Sequence, residues 1–262
     1  MNPVNSTHQA TRRLLLGLKA GEVITASQLR AIGVSARLTS YLKQNAVLRQ
    51  LGVGAYVKGE EKPSFVSAVQ AINSLTKVPI YFGGRSALDI FGVSQYLSLG
   101  AGGAAWLFSS AKVKLPKWFM SGVWDVQPKL VQTHFLASKL NHSIRTKEVD
   151  GFTVQVASRE RAILEAIYLI GKWHRFEEID ELFESLTTLD GKHIQNLLEN
   201  CNSIRVCRIF LFLAQKHGHP WLRDIDEFKV SLGRGKRVVI KNGRLDARYQ
   251  ITVPQMEEEP DV

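Results

Sequence analysis

The sequence predicts an α+β protein in which an N-terminal winged helix-turn-helix, residues 1–60, precedes a larger mixed α/β domain, residues 61–262. Three observations lead there. At 262 residues the chain exceeds the usual size of one domain. Its first sixty residues run helix, short helix, capped helix, basic hairpin. A polar break, "KGEEKPS" (58–64), then gives way to mixed helical and alternating patterns.

In order, "STHQATRRLLLGLKA" (6–20) reads as a helix with Ala10, Leu14 and Leu18 on one face, stopped by Gly21. "ITASQLRAIG" is a short second helix, capped by Thr25 or Ser27 and stopped at Gly33. Ser35 caps a third helix that packs Leu38, Tyr41 and Leu42 inward. Two short strands, Val47–Leu51 and Ala55–Val57, close the unit around glycines. Past the break, Ser64 caps an amphipathic helix, and "IYFGGRSALDIFG" joins a strand to a short helix through Gly-Gly. Alternation marks strands in "AAWLFSS" and "FTVQVAS". Ser158 opens a helix with Ile163, Leu164 and Ile167 inside, and three more follow, with stops near Asp190, Cys201–Ser203 and Gly218. Asn242-Gly243 is the signal of a type I′ hairpin at the end of the chain. Alternation in that hairpin puts Val238 and Ile240 on a core face, with Arg237, Val239 and Lys241 opposite.

The net charge of +10 is unevenly spread. Residues 1–60 carry +6, residues 61–228 only +2, residues 229–249 again +6, and the last 13 residues four acids. Clustered positive charge favours polyanions, because binding releases their condensed counterions. From Arg30 to Gly59 there is no acid at all. A third helix entering the major groove offers its early exposed residues to base edges. Ser35, Arg37, Thr39, Ser40, Lys43 and Gln44, with Arg49 and Lys58 on the wing, are therefore the candidate contacts to double-stranded DNA. The plainer alternative is a helix pair and hairpin that bind nothing. No apolar run approaches the ~20 residues of a membrane span, and the start lacks a signal peptide's basic-then-apolar order. The expectation is a cytoplasmic protein with no membrane partner.

Catalytic and cofactor motifs are thin. "GVGAY" lacks the third glycine of a dinucleotide site, and "GRGKR" lacks a P-loop's spacing and Ser/Thr. "YFGGRSAL" could nest an anion on backbone amides with Arg85 as counter-charge, or simply make a tight strand-to-helix turn. Cys201 and Cys207, six apart, and His217-Gly-His219 make no metal site. The acids of "FEEIDELFE" read as a solvated face, and Glu160, Arg161 and Glu165 as a charge network supporting the core. We expect no catalytic residues, no metal and no cofactor. In the last hairpin Arg234, Lys236, Arg237, Lys241 and Arg244 form either a working basic face or an edge that resists sheet pairing.

The blocks "GVSARLTSYLKQNAVLRQLGVGAYVKG", "YFGGRSALDIFG", "LPKWF", "SRERAILEAI", "LLENCNSIRVCRIFLFLA" and "LGRGKRVVIKNGRLDARYQITVP" resemble, in this order, the AbiEi antitoxins of type IV toxin–antitoxin systems. The resemblance implies a bacterial autorepressor that binds inverted repeats at its own promoter. It also implies a C-terminal domain countering a nucleotidyltransferase-like toxin without a stable complex, in the setting of phage defence. The reading that stands against it is a nuclease or nucleotide-handling enzyme delivered to DNA by its first domain.

Overall fold

The computed structural model describes residues 17–93, 102–120, 123–137 and 140–255. Most of the expected first helix and the acidic tail lie outside them.

The N-terminal part begins with a strand that helix periodicity did not reveal, β1 (Val23–Thr25). Thr25 ends it and also caps α1 (Ala26–Ala31): the Thr25 hydroxyl accepts from Gln28 N, and the Gln28 side chain accepts from Thr25 N. That reciprocal box satisfies two amides a helix start leaves open. Gly33, at φ +87°, turns the chain, and Ser35 caps α2 (Ala36–Gln44) by accepting from Leu38 N at 3.2 Å. Strands β2 (Leu48–Gly52) and β3 (Ala55–Lys58) follow, and the antiparallel order is β1-β3-β2. Leu18, Ile24, Leu29, Val34, Leu38, Leu42 and Leu48 form a small core of their own. Tyr41 does not join it; the ring is 59% exposed. Leu38, Thr39 and Leu42 make the inward side of this helix, and Tyr41 falls at its outer edge.

The larger part is built on a five-stranded sheet, order β6-β5-β4-β8-β7. Its strands are β4 (Tyr81–Phe82), β5 (Ala104–Ser109), β6 (Gln127–Gln132), β7 (Ile144–Val149) and β8 (Phe152–Ala157). Pairs β4–β8 and β5–β6 are parallel, and β4–β5 and β7–β8 antiparallel. Between β7 and β8, Asp150 and Gly151 both adopt positive φ, 49° and 78°, as a type I′ turn requires. Helix α3 (Phe65–Asn73), capped by Ser64 as expected, packs on β8 and β1. Helix α4 (Gly84–Ile90) lies against α6 (Arg159–Tyr168), where residues 160–167 are all buried. Short α5 (Lys117–Met120) reaches β2. Helices α7 (Phe176–Glu184), α8 (Gly191–Glu199) and α9 (Ile204–His217) complete the layer, and α9 stops at left-handed Gly218.

The last sheet differs from the expected hairpin. Its order is β10-β11-β9, from β9 (Arg237–Val238), β10 (Arg244–Asp246) and β11 (Ile251–Val253), and β9 runs parallel to β11. Asn242-Gly243 therefore joins strands that do not pair. Asn242 is left-handed at φ 61°, but Gly243 is needed for room: a Cβ there would stand 2.2 Å from Val253 O. Val238 is 67% exposed, whereas Val239 and Ile240 pack against the core. The alternation breaks because the amides of both Val239 and Ile240 turn onto the Thr252 hydroxyl.

Candidate functional site

Helix α2 leaves Arg37, Ser40 and Gln44 exposed, together with Tyr41, while Lys43 is half-buried. The Lys43 ammonium donates to Gln50 Oε1 on β2 at 2.7 Å, so the helix is tied to the hairpin beside it. Ser35 is exposed, but its hydroxyl is engaged as the cap. Thr39 leaves the candidate face altogether. It is 7% exposed, and its hydroxyl donates to Ser35 O at 3.0 Å, the back-bond a threonine makes when turned against its own helix. Arg49 is also committed: its guanidinium donates to Glu61 O at 2.6 Å and Gly59 O at 3.3 Å, fastening β2 to the segment after β3. It is a clamp rather than an outward phosphate contact. Lys58 ends β3, half-buried. The hairpin tip, at Val53-Gly54, projects a valine that is 92% exposed.

In the larger part the charge network lies at the centre of the fold. Arg161 donates to Glu165 Oε1 at 2.7 Å, to Tyr81 OH at 2.9 Å and to Ala137 O at 2.9 Å. Tyr81 donates to the same Glu165 oxygen at 2.8 Å, and Gly84 N donates to its other oxygen at 3.1 Å. The Glu165 carboxyl is held above the usual carboxylate range because burial outweighs the lowering by Arg161, Tyr81 and Gly84. Against that shift, three donors on its two oxygens, Arg161, Tyr81 and Gly84, favour the charged form. Tyr81 is driven well up by burial and by that carboxylate. The Gly-Gly nest is thus filled by the chain's own anion. Arg85 turns instead to Glu178 at 3.5 Å.

The basic residues near the end do not share one face. Arg234 and Lys236 are exposed on a loop held from beneath by Arg208, which is 3% exposed. Arg208 donates to the carbonyls of Leu232 (2.7 Å), Gly233 (3.2 Å), Gly235 (2.6 Å) and Gln250 (3.3 Å). Arg237 folds onto Lys236 O. Lys241 lines a cleft of ≈ 580 Å³ with the loop Ile170–Glu177, and Arg244 lines another with Asp180 and Lys216. That first loop presents Trp173, 48% exposed, which helix periodicity does not mark; the readable signal is an aromatic between bases in "GKWHR". Beside it His174 is 5% exposed, and its proton affinity falls from 6.5 to about 4 through burial and the nearby Arg85, against Glu178. Among the described residues no group of three or more His, Cys, Asp or Glu could hold a metal ion. His217 faces Asp180 at 2.7 Å and His219 the Phe183 carbonyl at 2.8 Å, and both cysteines are buried thiols.

Among the described residues a small unit of two helices and a three-stranded sheet precedes a larger mixed α/β body. The chain belongs to the AbiEi family of antitoxins and transcriptional regulators of type IV toxin–antitoxin systems. One family model, "Transcriptional regulator, AbiEi antitoxin N-terminal domain", matches residues 7–99, and a second, "Transcriptional regulator, AbiEi antitoxin, Type IV TA system", matches residues 103–254. No curated protein matches. Among solved structures the chain is similar in fold to the RV2827C protein from Mycobacterium tuberculosis, at a TM-score of 0.59 and 13% identity over 93% of this chain and 90% of that one. Among the described residues no helix is long and apolar enough to cross a membrane.

Proposed function

We propose that residues 1–60 act as a winged helix that reads double-stranded DNA at inverted repeats in the protein's own promoter. The observation that carries this reading is the outer face of α2. It offers Arg37, Ser40 and Gln44 from a stretch, Arg30 to Gly59, without a single acid. Arg37 suits a base edge, where an arginine can donate two parallel hydrogen bonds to guanine. Residues 61–262 would form the antitoxin part, acting in the cytoplasm against a nucleotidyltransferase-like toxin. Two facts support a boundary near residue 60: the separate hydrophobic cluster before it and the polar segment after β3. The family models part later, between residues 99 and 103.

The test is binding to a labelled fragment of the promoter by anisotropy. Arg37→Ala should cost roughly 1–3 kcal/mol on the cognate site and relax discrimination. Unchanged affinity and discrimination would remove α2 as the reading helix. Co-expression with a nucleotidyltransferase-like toxin tests the second half, where a chain starting after residue 60 should lose repression and keep protection.

A further inference from the structure

Trp173 stands apart from the other tryptophans. Trp106, Trp118, Trp124 and Trp221 are each 4–7% exposed, whereas Trp173 is 48% exposed. Its loop is built to hold it there. The amides of Lys172, Trp173 and His174 all converge on the Leu169 carbonyl at 2.9–3.2 Å, and Gly171 N donates to His174 O. Beneath, Arg205 fastens Ile170 O at 2.8 Å, and the Trp173 ring meets Trp106 edge-on at 5.7 Å. A large aromatic surface is thus kept half in water by a short, heavily bonded loop.

Around it are cations. Lys129 lies 5.1 Å and Lys172 5.8 Å from the ring centroid. Lys172, Arg175 and Lys241 line the adjoining cleft, against one carboxylate, Glu177. Arg175 also leans on Glu178 at 3.4 Å. The ≈ 580 Å³ volume falls within the range of small-ligand sites.

We propose that this cleft binds single-stranded nucleic acid, with one unpaired base stacked on Trp173 and the flanking phosphates on Lys172 and Lys241. An aromatic platform inside a cationic groove is the arrangement that recognises unpaired strands, because every base has a π-face and a paired base cannot offer it. A lysine that leaves the indole face for a phosphate exchanges a cation–π contact for a charge-assisted hydrogen bond, so the ring is freed as the backbone is gripped. The inference does not depend on the winged-helix reading, since none of the tryptophans lies in residues 1–60.

Tryptophan fluorescence of the full chain tests it, because the exposed indole is the one a stacked base can quench. Short oligouridylate and the matching oligodeoxynucleotide should both quench saturably, and the nucleoside monophosphate should do so more weakly. Tighter binding of the RNA would mark RNA as the occupant, and of the DNA an unpaired promoter strand. Lys172→Ala or Lys241→Ala should raise the midpoint several-fold and flatten the salt dependence by about 0.7 of a logarithmic unit per lost contact. Trp173→Phe should abolish the quenching while leaving the melting temperature unchanged. Any of three outcomes overturns the proposal: no saturable quenching, quenching that survives in Trp173→Phe, or a blunt-ended duplex that quenches as strongly as single strands.

Discussion

The Lys43 ammonium on α2 donates to the Gln50 carboxamide on β2 across 2.7 Å, joining the exposed helix to the hairpin beside it. The bond makes the two elements one surface. Gln50→Ala, which changes no charge, should weaken duplex binding by about 0.5–1.5 kcal/mol, the usual net worth of one hydrogen bond. Its slope against salt should not change, whereas Lys43→Ala should flatten the slope by about 0.9 if the ammonium reaches a phosphate. Anisotropy over a salt series separates the two, and wild-type affinity in Gln50→Ala would show that the tie does not orient the hairpin.

Thr39→Val offers a contrast on the same helix. The side chain is buried and its hydroxyl is spent on Ser35 O. Valine should therefore leave duplex affinity within about twofold, a change well under 1 kcal/mol. A loss as large as that of Arg37→Ala would mean that Thr39 turns outward in the complex.

Gly83 faces the buried carboxylate so closely that a Cβ would stand 2.3 Å from Glu165 Oε2 and 2.5 Å from the Phe108 ring. Gly83→Ala should destabilise the larger part by about 1–3 kcal/mol or more through overpacking. Tyr81→Phe removes a hydroxyl shared by Arg161 and Glu165, and should cost about 1–3 kcal/mol by leaving buried donors and acceptors unmet. Urea unfolding reads both, and wild-type midpoints would contradict the network's importance.

His174 gives a pH signature. Its affinity for a proton is lower folded, about 4, than unfolded, 6.5. The stability this represents is fully present above about pH 6.5 and is lost as pH falls toward 4, since the unfolded chain takes up the proton first. His174→Gln cannot protonate. Its unfolding free energy should fall less steeply between pH 6.5 and 4 than that of the wild type, by an amount on the order of a few kcal/mol. Parallel curves would sink the assignment.

Arg208 holds four backbone carbonyls and, among the described residues, no carboxylate. Arg208→Ala should free the loop 232–236 while the sheet β4–β8 keeps its protection. Hydrogen exchange by peptide should show the difference, with faster exchange confined to the loop and β9.

What the sequence made legible was mostly local. Thr25, Ser35, Ser64 and Ser158 cap helices as their positions imply, and Gly218 ends α9, because a cap is decided within four residues. Partners distant in sequence were not legible. Asn242-Gly243 has the local grammar of a hairpin, but the Thr252 hydroxyl captures the amides that would have paired. The Asp150-Gly151 turn was the real I′. Arg49 reads as any surface base until Gly59 O and Glu61 O come round to meet it. What was legible of the candidate surface is only its exposure. Exposure of Arg37 and Ser40 follows from helix phase alone, whereas the scatter of the C-terminal bases depends on strand order.

Gly52, at the end of β2, sits flush on Trp118: a Cβ there would be 2.6 Å from the Trp118 Cβ. Trp118 in turn adjoins Phe119 and Trp124, which close around Phe65 at 5.4 and 5.8 Å. The hairpin is therefore seated on a bearing of aromatic rings. Any tilt of the hairpin has to displace that bearing, and close-packed rings transmit such strain rather than absorb it. Linkage runs both ways. If the hairpin grips a promoter as proposed, a partner that rearranges the rings would alter that grip by the same factor by which the promoter alters grip on the partner.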